Sequence, residues 1–114
     1  MNRTYSKQIP VTQIGPYTVN VPFNLGVYVT EHTLTANDEF VPVIEANVPE
    51  PYKPIPGYGA FYRIIGEGTF IPTFDASFKK SSASGDFDET LGVLNLITFL
   101  FDGFDYWYSI VQAV

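Results

Sequence analysis

Nowhere in the chain do apolar residues recur three and four positions apart over two full helical turns, and that absence constrains the fold more than any other feature. Nine Gly and nine Pro punctuate the sequence, and the runs between them are rich in Val, Ile, Thr, Tyr and Phe. Such residues suit a pleated, half-buried surface and disfavour a helix. The chain therefore reads as all-β, with roughly seven to eight strands. Its 114 residues fit one domain with one core.

The first strand candidate is residues 5–14, where Pro10 confines the run to an edge or splits it, because proline donates no ladder hydrogen bond. Residues 17–21 and 25–35 alternate apolar and polar side chains, with a break at Asn24-Leu25-Gly26. Residues 40–46 offer Phe40, Val43 and Ile44 to a core, while Pro42 argues for an edge strand. From residue 48 to 59, Pro49, Pro51, Pro54 and Pro56 enforce an extended path that blocks both helix and ladder pairing. Strand signals resume at 60–65, 69–73 and 76–79, separated by a turn or bulge at Gly66-Glu67-Gly68 and by Asp75. Residues 80–89 are the most polar stretch and read as an exposed loop. On this reading residues 1–22 form an N-terminal arm or edge strand, and residues 23–114 form a β-sandwich.

The strongest local signal closes the chain: runs at 93–101 and 104–111 flank Asp102-Gly103, a pair that predicts a two-residue type I′ hairpin. Strand alternation puts Phe104, Tyr106, Tyr108 and Ile110 on one face, and Trp107 and Val111 on the other with Asp105 and Ser109. In the preceding strand Val93, Ile97, Phe99 and Phe101 oppose Leu94, Leu96 and Leu100. Neither face of this hairpin is plainly solvated. A sandwich has one inner face per sheet, so the second apolar face is expected to meet another chain, with Leu96, Phe99, Phe101, Phe104, Tyr106, Trp107 and Tyr108 as candidate interface residues.

Charge and composition exclude several function classes. Six Lys and Arg against twelve Asp and Glu give a net charge of -6, the wrong sign for a nucleic-acid partner. With no Cys, thiolate nucleophiles, thiolate metal sites and disulfides are all ruled out. His32 is the only histidine, so one chain cannot build a Ser-His triad or a His-rich metal site. Asp86-Phe87-Asp88-Glu89 is the densest acidic run but lacks the glycine and glutamate placement of the roughly twelve-residue calcium loop. Gly66-Glu67-Gly68 has no following helix or lysine with which to cradle a phosphate. No pair of carboxylates is marked for glycoside hydrolysis. The expectation is a protein without catalytic residues, cofactor or metal. Residues 1–15 hold Arg3 and Lys7 but interrupt any apolar stretch with polar residues and Pro10, so no export signal is expected. The longest apolar run, 94–101, is far short of the roughly 20 residues of a spanning helix, and membrane insertion is not expected.

The aromatic load, ten Phe, eight Tyr and one Trp, fills cores and interfaces but also builds sugar-stacking platforms. Tyr52, Tyr58 and Tyr62 are the candidate glycan contacts, with Trp107 and Tyr108 as further contributors.

From Gly66 onward, Gly66-Glu67-Gly68-Thr69 followed by Pro72-Thr73-Phe74, the polar Ser/Gly loop, Asn95 in an apolar strand and the ending Tyr106-Trp107-Tyr108-Ser109-Ile110 carry a resemblance. This text resembles the C-terminal β-sandwich domains of tailed-bacteriophage fibre, spike and head-decoration proteins. The resemblance implies an antiparallel, jelly-roll-like sandwich that trimerises on the outer surface of a virion, contacts other virion proteins and in some cases binds host-surface glycans. No shaft, heptad run or collagen-like repeat precedes the sandwich, so the chain looks more like a capsid-decoration protein or head-fibre knob than a complete tail fibre. Residues 1–22 are then the expected virion attachment, and synthesis in the host cytoplasm is the expected origin.

Overall fold

The computed structural model describes residues 17–44 and 53–113. The described residues form eight strands: β1 (Thr18–Pro22), β2 (Val27–Glu31), β3 (Glu39–Val43), β4 (Gly59–Ile65), β5 (Thr73–Phe74), β6 (Phe78–Lys80), β7 (Leu94–Phe101) and β8 (Tyr106–Gln112). There is no helix among the described residues, so the all-β reading holds. The strands form a three-stranded sheet in the order β1-β3-β5 and a five-stranded sheet in the order β2-β4-β7-β8-β6.

The antiparallel expectation is corrected by the pairing. Four of the six ladders, β1–β3, β2–β4, β3–β5 and β6–β8, are parallel, and only β4–β7 and β7–β8 are antiparallel. Parallel neighbours need a long crossover, which α/β proteins supply with a helix. For β1–β3, β2–β4 and β3–β5 the crossover is a strand of the opposite sheet, because the chain alternates between the two sheets from β1 to β6; β6 instead lies beside β8, with β7 of the same sheet between them in the chain. A jelly roll is instead assembled from antiparallel Greek keys.

The core lies between the sheets and is built mainly from aromatic rings. Phe40 of β3 packs against Phe99 of β7 and Tyr62 of β4, each at a centroid distance of 5.2 Å. Phe74 of β5 stacks on Tyr108 of β8 at 3.8 Å and 8°. Phe23, at the exit of β1, meets Tyr106 at 4.8 Å. Val21, Ile64, Ile97 and Ile110 fill between them. Burying such side chains stabilises the fold by roughly 1.5–3 kcal/mol each relative to exposure, which is what holds two small sheets together.

Pro42 shows how local chemistry fits the topology. It lies in β3, the middle strand of its sheet, not at an edge as the sequence reading had it. Phe40 turns its carbonyl toward β5, accepting from the Asp75 N–H at 2.9 Å, and Pro42 faces the same side two residues later. By then β5 has ended, since it pairs only with Glu39 and Phe40. The missing donor therefore costs no ladder bond.

The part of residues 1–22 that is described is β1, an edge strand with Val21 and Phe23 fully buried at its end. The remaining strand candidate, residues 5–14, and Pro49 and Pro51 of the connection lie outside the described residues.

Candidate functional site

The closing hairpin forms, with a different turn. Phe101 pairs with Tyr106, so the loop is the four residues 102–105 and not the dipeptide Asp102-Gly103. The reason is the Asp102 carboxylate. Its Oδ1 accepts the backbone N–H groups of Phe104 and Asp105 at 2.7 Å each, an arrangement a two-residue turn has no room for. Gly103 supplies the left-handed conformation the loop needs, with φ at 101°. The other oxygen, Oδ2, accepts the Trp107 indole N–H at 2.7 Å. The backbone donors of Asp105 and Phe104, and then the indole, hold the Asp102 carboxyl below the ordinary carboxylate range.

That hydrogen bond places Trp107 on the outer face of the five-stranded sheet, with the Lys79 ammonium 6.0 Å from the ring centroid. Register defines three rows across this face. Val27, Gly59, Leu100, Trp107 and Lys79 form one; Val29, Phe61, Thr98 and Ser109 the second; Glu31, Arg63, Leu96 and Val111 the third. Most of the apolar members, Val27, Val29, Phe61, Leu100 and Val111, are exposed. Ile65 extends the apolar area along β4. The face also carries charge: Arg63, between Phe61 and Ile65 on β4, lies beside Glu31 at 3.8 Å, and Lys79 on the edge strand β6 lies beside Asp105 at 3.3 Å. Gly59 keeps β4 close to β7, since a β-carbon there would overlap the Phe99 carbonyl oxygen. At the Trp107 end a shallow depression of about 230 Å³ is lined by Ser81, Thr98, Leu100, Trp107, Tyr108 and Ser109.

The candidate interface residues divide between the two faces. Leu96 and Trp107 are on the outer face, and Phe104 stands at the loop tip, 90% exposed. Phe99, Phe101, Tyr106 and Tyr108 turn inward: Phe99 is 1% exposed, and the other three pack on the same core. These four pack within the chain's own core. The rest of the outer face is carried by Val29, Phe61, Leu100 and Val111, all four outside the candidate set; Val29 and Phe61 lie on β2 and β4, beyond the hairpin that signalled a second face.

The candidate glycan contacts do not converge. Tyr62 is buried among Tyr28, Phe40 and Phe99. Tyr58 is half-buried before β4, where its carbonyl accepts the Phe101 N–H at 3.1 Å. Tyr52 lies outside the described residues. Burial pushes the Tyr62 hydroxyl up to about 12. The Tyr28 hydroxyl, buried beside it, makes no hydrogen bond of good geometry among the described residues and is pushed higher by burial and then by Tyr62. Both stay neutral phenols at neutral pH.

Two buried polar centres organise the loops. Asp38, 0% exposed, accepts the Tyr17 N–H on Oδ1 at 3.0 Å, and its Oδ2 lies 2.9 Å from His32 Nε2. One carboxylate thus ties the start of β1 to the end of β2. Asn95, also 0% exposed, pairs its side-chain amide with the backbone of Asp88 in both directions at 2.9 Å, as a neighbouring strand would, and accepts from Gln112 Nε2 at 2.7 Å. The polar segment 80–89 is therefore stitched down: Ser81 and Gly85 donate backbone N–H groups to Tyr108 and Ile110, and Phe87 enters the core. The acidic run separates accordingly, with Asp86 on Lys80 and Asp88 on the Thr90 N–H. Among the described residues no three His, Asp or Glu side chains gather as a metal-ligand set, and no helix is long and apolar enough to cross a membrane. Comparisons with protein-family models, curated proteins and solved structures return no match.

Proposed function

We propose that this chain is a non-enzymatic structural protein of a tailed-bacteriophage particle, a capsid-decoration or head-fibre subunit that assembles as a trimer on the outer surface. The observation that supports this best is the outer face of the five-stranded sheet, where Val27, Val29, Phe61, Ile65, Leu100 and Val111 are exposed. Five strands spaced about 4.8 Å apart, of five, seven, eight, seven and three residues rising about 3.3 Å each, span an area on the order of 500 Å². That is somewhat over half of the roughly 800 Å² each partner contributes to a stable complex, which fits one of the two contacts each subunit of a trimer makes. The acidic net charge of -6 suits an outward-facing subunit better than a genome-facing one. The likeness of the sequence from Gly66 onward to fibre, spike and decoration domains supplies the particle.

The depression beside Trp107 favours a second reading, a carbohydrate-binding module for host-surface glycans. A ring oriented by Asp102 next to the hydroxyls of Ser81, Thr98 and Ser109 matches the stacking-plus-hydroxyl chemistry of a sugar subsite.

Native mass by light scattering, over about two orders of magnitude in concentration, separates the readings. A trimer near three times 12.7 kDa that Leu100→Asp converts to a folded monomer is the expected result. A native monomer that binds a glycan array, and loses binding in Trp107→Ala, would replace the first reading by the second.

A further inference from the structure

We propose that Asp102-Gly103 is a modification site, where the chain rearranges to isoaspartate through a cyclic imide, and that the Trp107 indole restrains this chemistry while the loop is folded. The inference is independent of the virion reading and starts from the sequence. Asp102-Gly103 is the single Asp-Gly pair in the chain, and Asn-Gly does not occur. A backbone nitrogen reaches the side-chain carboxyl carbon of the preceding residue most readily when it belongs to glycine, because no β-carbon crowds the approach.

The rearrangement balances with water alone. The Gly103 nitrogen bonds to Cγ of Asp102, and one carboxyl oxygen leaves as water, carrying away the carboxyl proton and the amide proton. Water then opens the imide at either carbonyl. Opening at the backbone carbonyl leaves Gly103 joined through Cγ, so the main chain is one carbon longer and the carboxylate sits on Cα. Asp102 is exposed, so solvent reaches the imide.

The loop cannot discard either member of the labile pair. Gly103 has φ at 101°, which strains any residue with a side chain. Asp102 is where three donors converge, the Phe104 and Asp105 N–H groups on Oδ1 and the Trp107 indole N–H on Oδ2, each at 2.7 Å.

Those same contacts oppose the reaction. The oxygen that leaves must be protonated and must shed its donors, whereas N–H groups aimed at both oxygens stabilise the ion. The carboxyl is accordingly held below its ordinary range. The charged groups at this corner, Lys79 and Asp105, are paired with each other at 3.3 Å. Two of the three donors belong to the loop backbone itself, which leaves the indole as the separable one. In isoaspartate the acceptor has moved away from the indole, so the modification also removes the bond that orients Trp107 beside the depression on the outer face.

The test compares the folded chain, the chain unfolded in urea, and the variants Trp107→Phe and Trp107→Leu, all incubated warm at neutral pH. Circular dichroism establishes which variants are folded, and the urea comparison depends on neither. Isoaspartate at residue 102 is counted by digestion and electron-transfer fragmentation, which distinguishes the isomers at equal mass. It is expected to form at least about tenfold faster in urea than in the folded chain, where the loop must first open. In the folded variants it is expected to form at least about threefold faster than in the parent, from loss of one charge-assisted bond at an exposed site. The isomerised chain, isolated by chromatography, is expected to show the emission of a released indole. Equal rates in the folded and unfolded chain, or no isoaspartate in either, would overturn the proposal. So would folded variants that isomerise no faster than the parent, or an isomerised chain whose Trp107 emission is unchanged.

Discussion

The two faces of the five-stranded sheet are made from similar residues and do opposite things. Along β7, Ile97, Phe99 and Phe101 point inward and are buried, while Leu96, Thr98 and Leu100 point outward. On β8, Tyr106, Tyr108 and Ile110 pack on the core, and Trp107, Ser109 and Val111 do not. The difference is not polarity but what the opposite sheet offers. Phe40 and Phe74 meet the inner face with rings 5.2 and 6.1 Å from that of Phe99, and no described element meets the outer face. Alternation divides a strand into two faces; only a facing layer decides which one is the core.

Truncation of the inner face breaks that comparison most severely. Phe99→Ala removes a fully buried ring that contacts Phe40, Tyr62, Phe74 and Phe78, and a loss of about 3–5 kcal/mol is expected in urea unfolding. Its immediate neighbour Leu100, 40% exposed, should lose less than about 1 kcal/mol as Leu100→Ala, while association weakens. Equal losses at the two positions would mean that the outer face is covered within the chain.

The polar centres give the next largest effects. Asp38→Ala leaves the buried Tyr17 N–H and His32 without their acceptor, at an expected cost of about 1–3 kcal/mol by the same measurement. Asn95→Leu should cost a similar amount, and amide exchange should localise it to Asp88 and the adjoining loop rather than to β4 or β7. A uniform loss of protection in either variant would contradict the assignment of these residues to particular loops.

The smallest effect sharpens the outer face. The folded loop holds the Asp102 carboxyl below its ordinary value of 3.8, so its contribution to stability is complete above that value and fades as pH falls through the lower folded one. Emission of Trp107, the single tryptophan, should report release of the indole in that acid range, and Asp102→Asn should abolish this transition. A Trp107 titration unchanged in the variant would separate the ring's position from Asp102.

Much of the local structure was legible in the chain. The strand composition, the closing hairpin and the division of its two faces all follow from local preferences and a period of two, which act over a few residues. The type I′ turn did not hold, because the Asp102 side chain captures two backbone donors and an indole, a competition that pattern alone does not rank. Pro42 was read as an edge residue, yet it lies in a central strand whose neighbour stops short. Nothing in the local pattern marks Asp38 or Asn95; each is a hub because partners more than ten residues away in sequence arrive beside it.

What the sequence by itself determined is the class of the fold, the approximate strands and a hairpin with two apolar faces, since steric propensity and alternation are properties of neighbouring residues. The parallel winding, the choice of inner face and the pairing of His32 with Asp38 were decided by the tertiary structure. Each depends on which distant strand lies alongside, and that is settled by how the aromatic rings of the two sheets fill one common core.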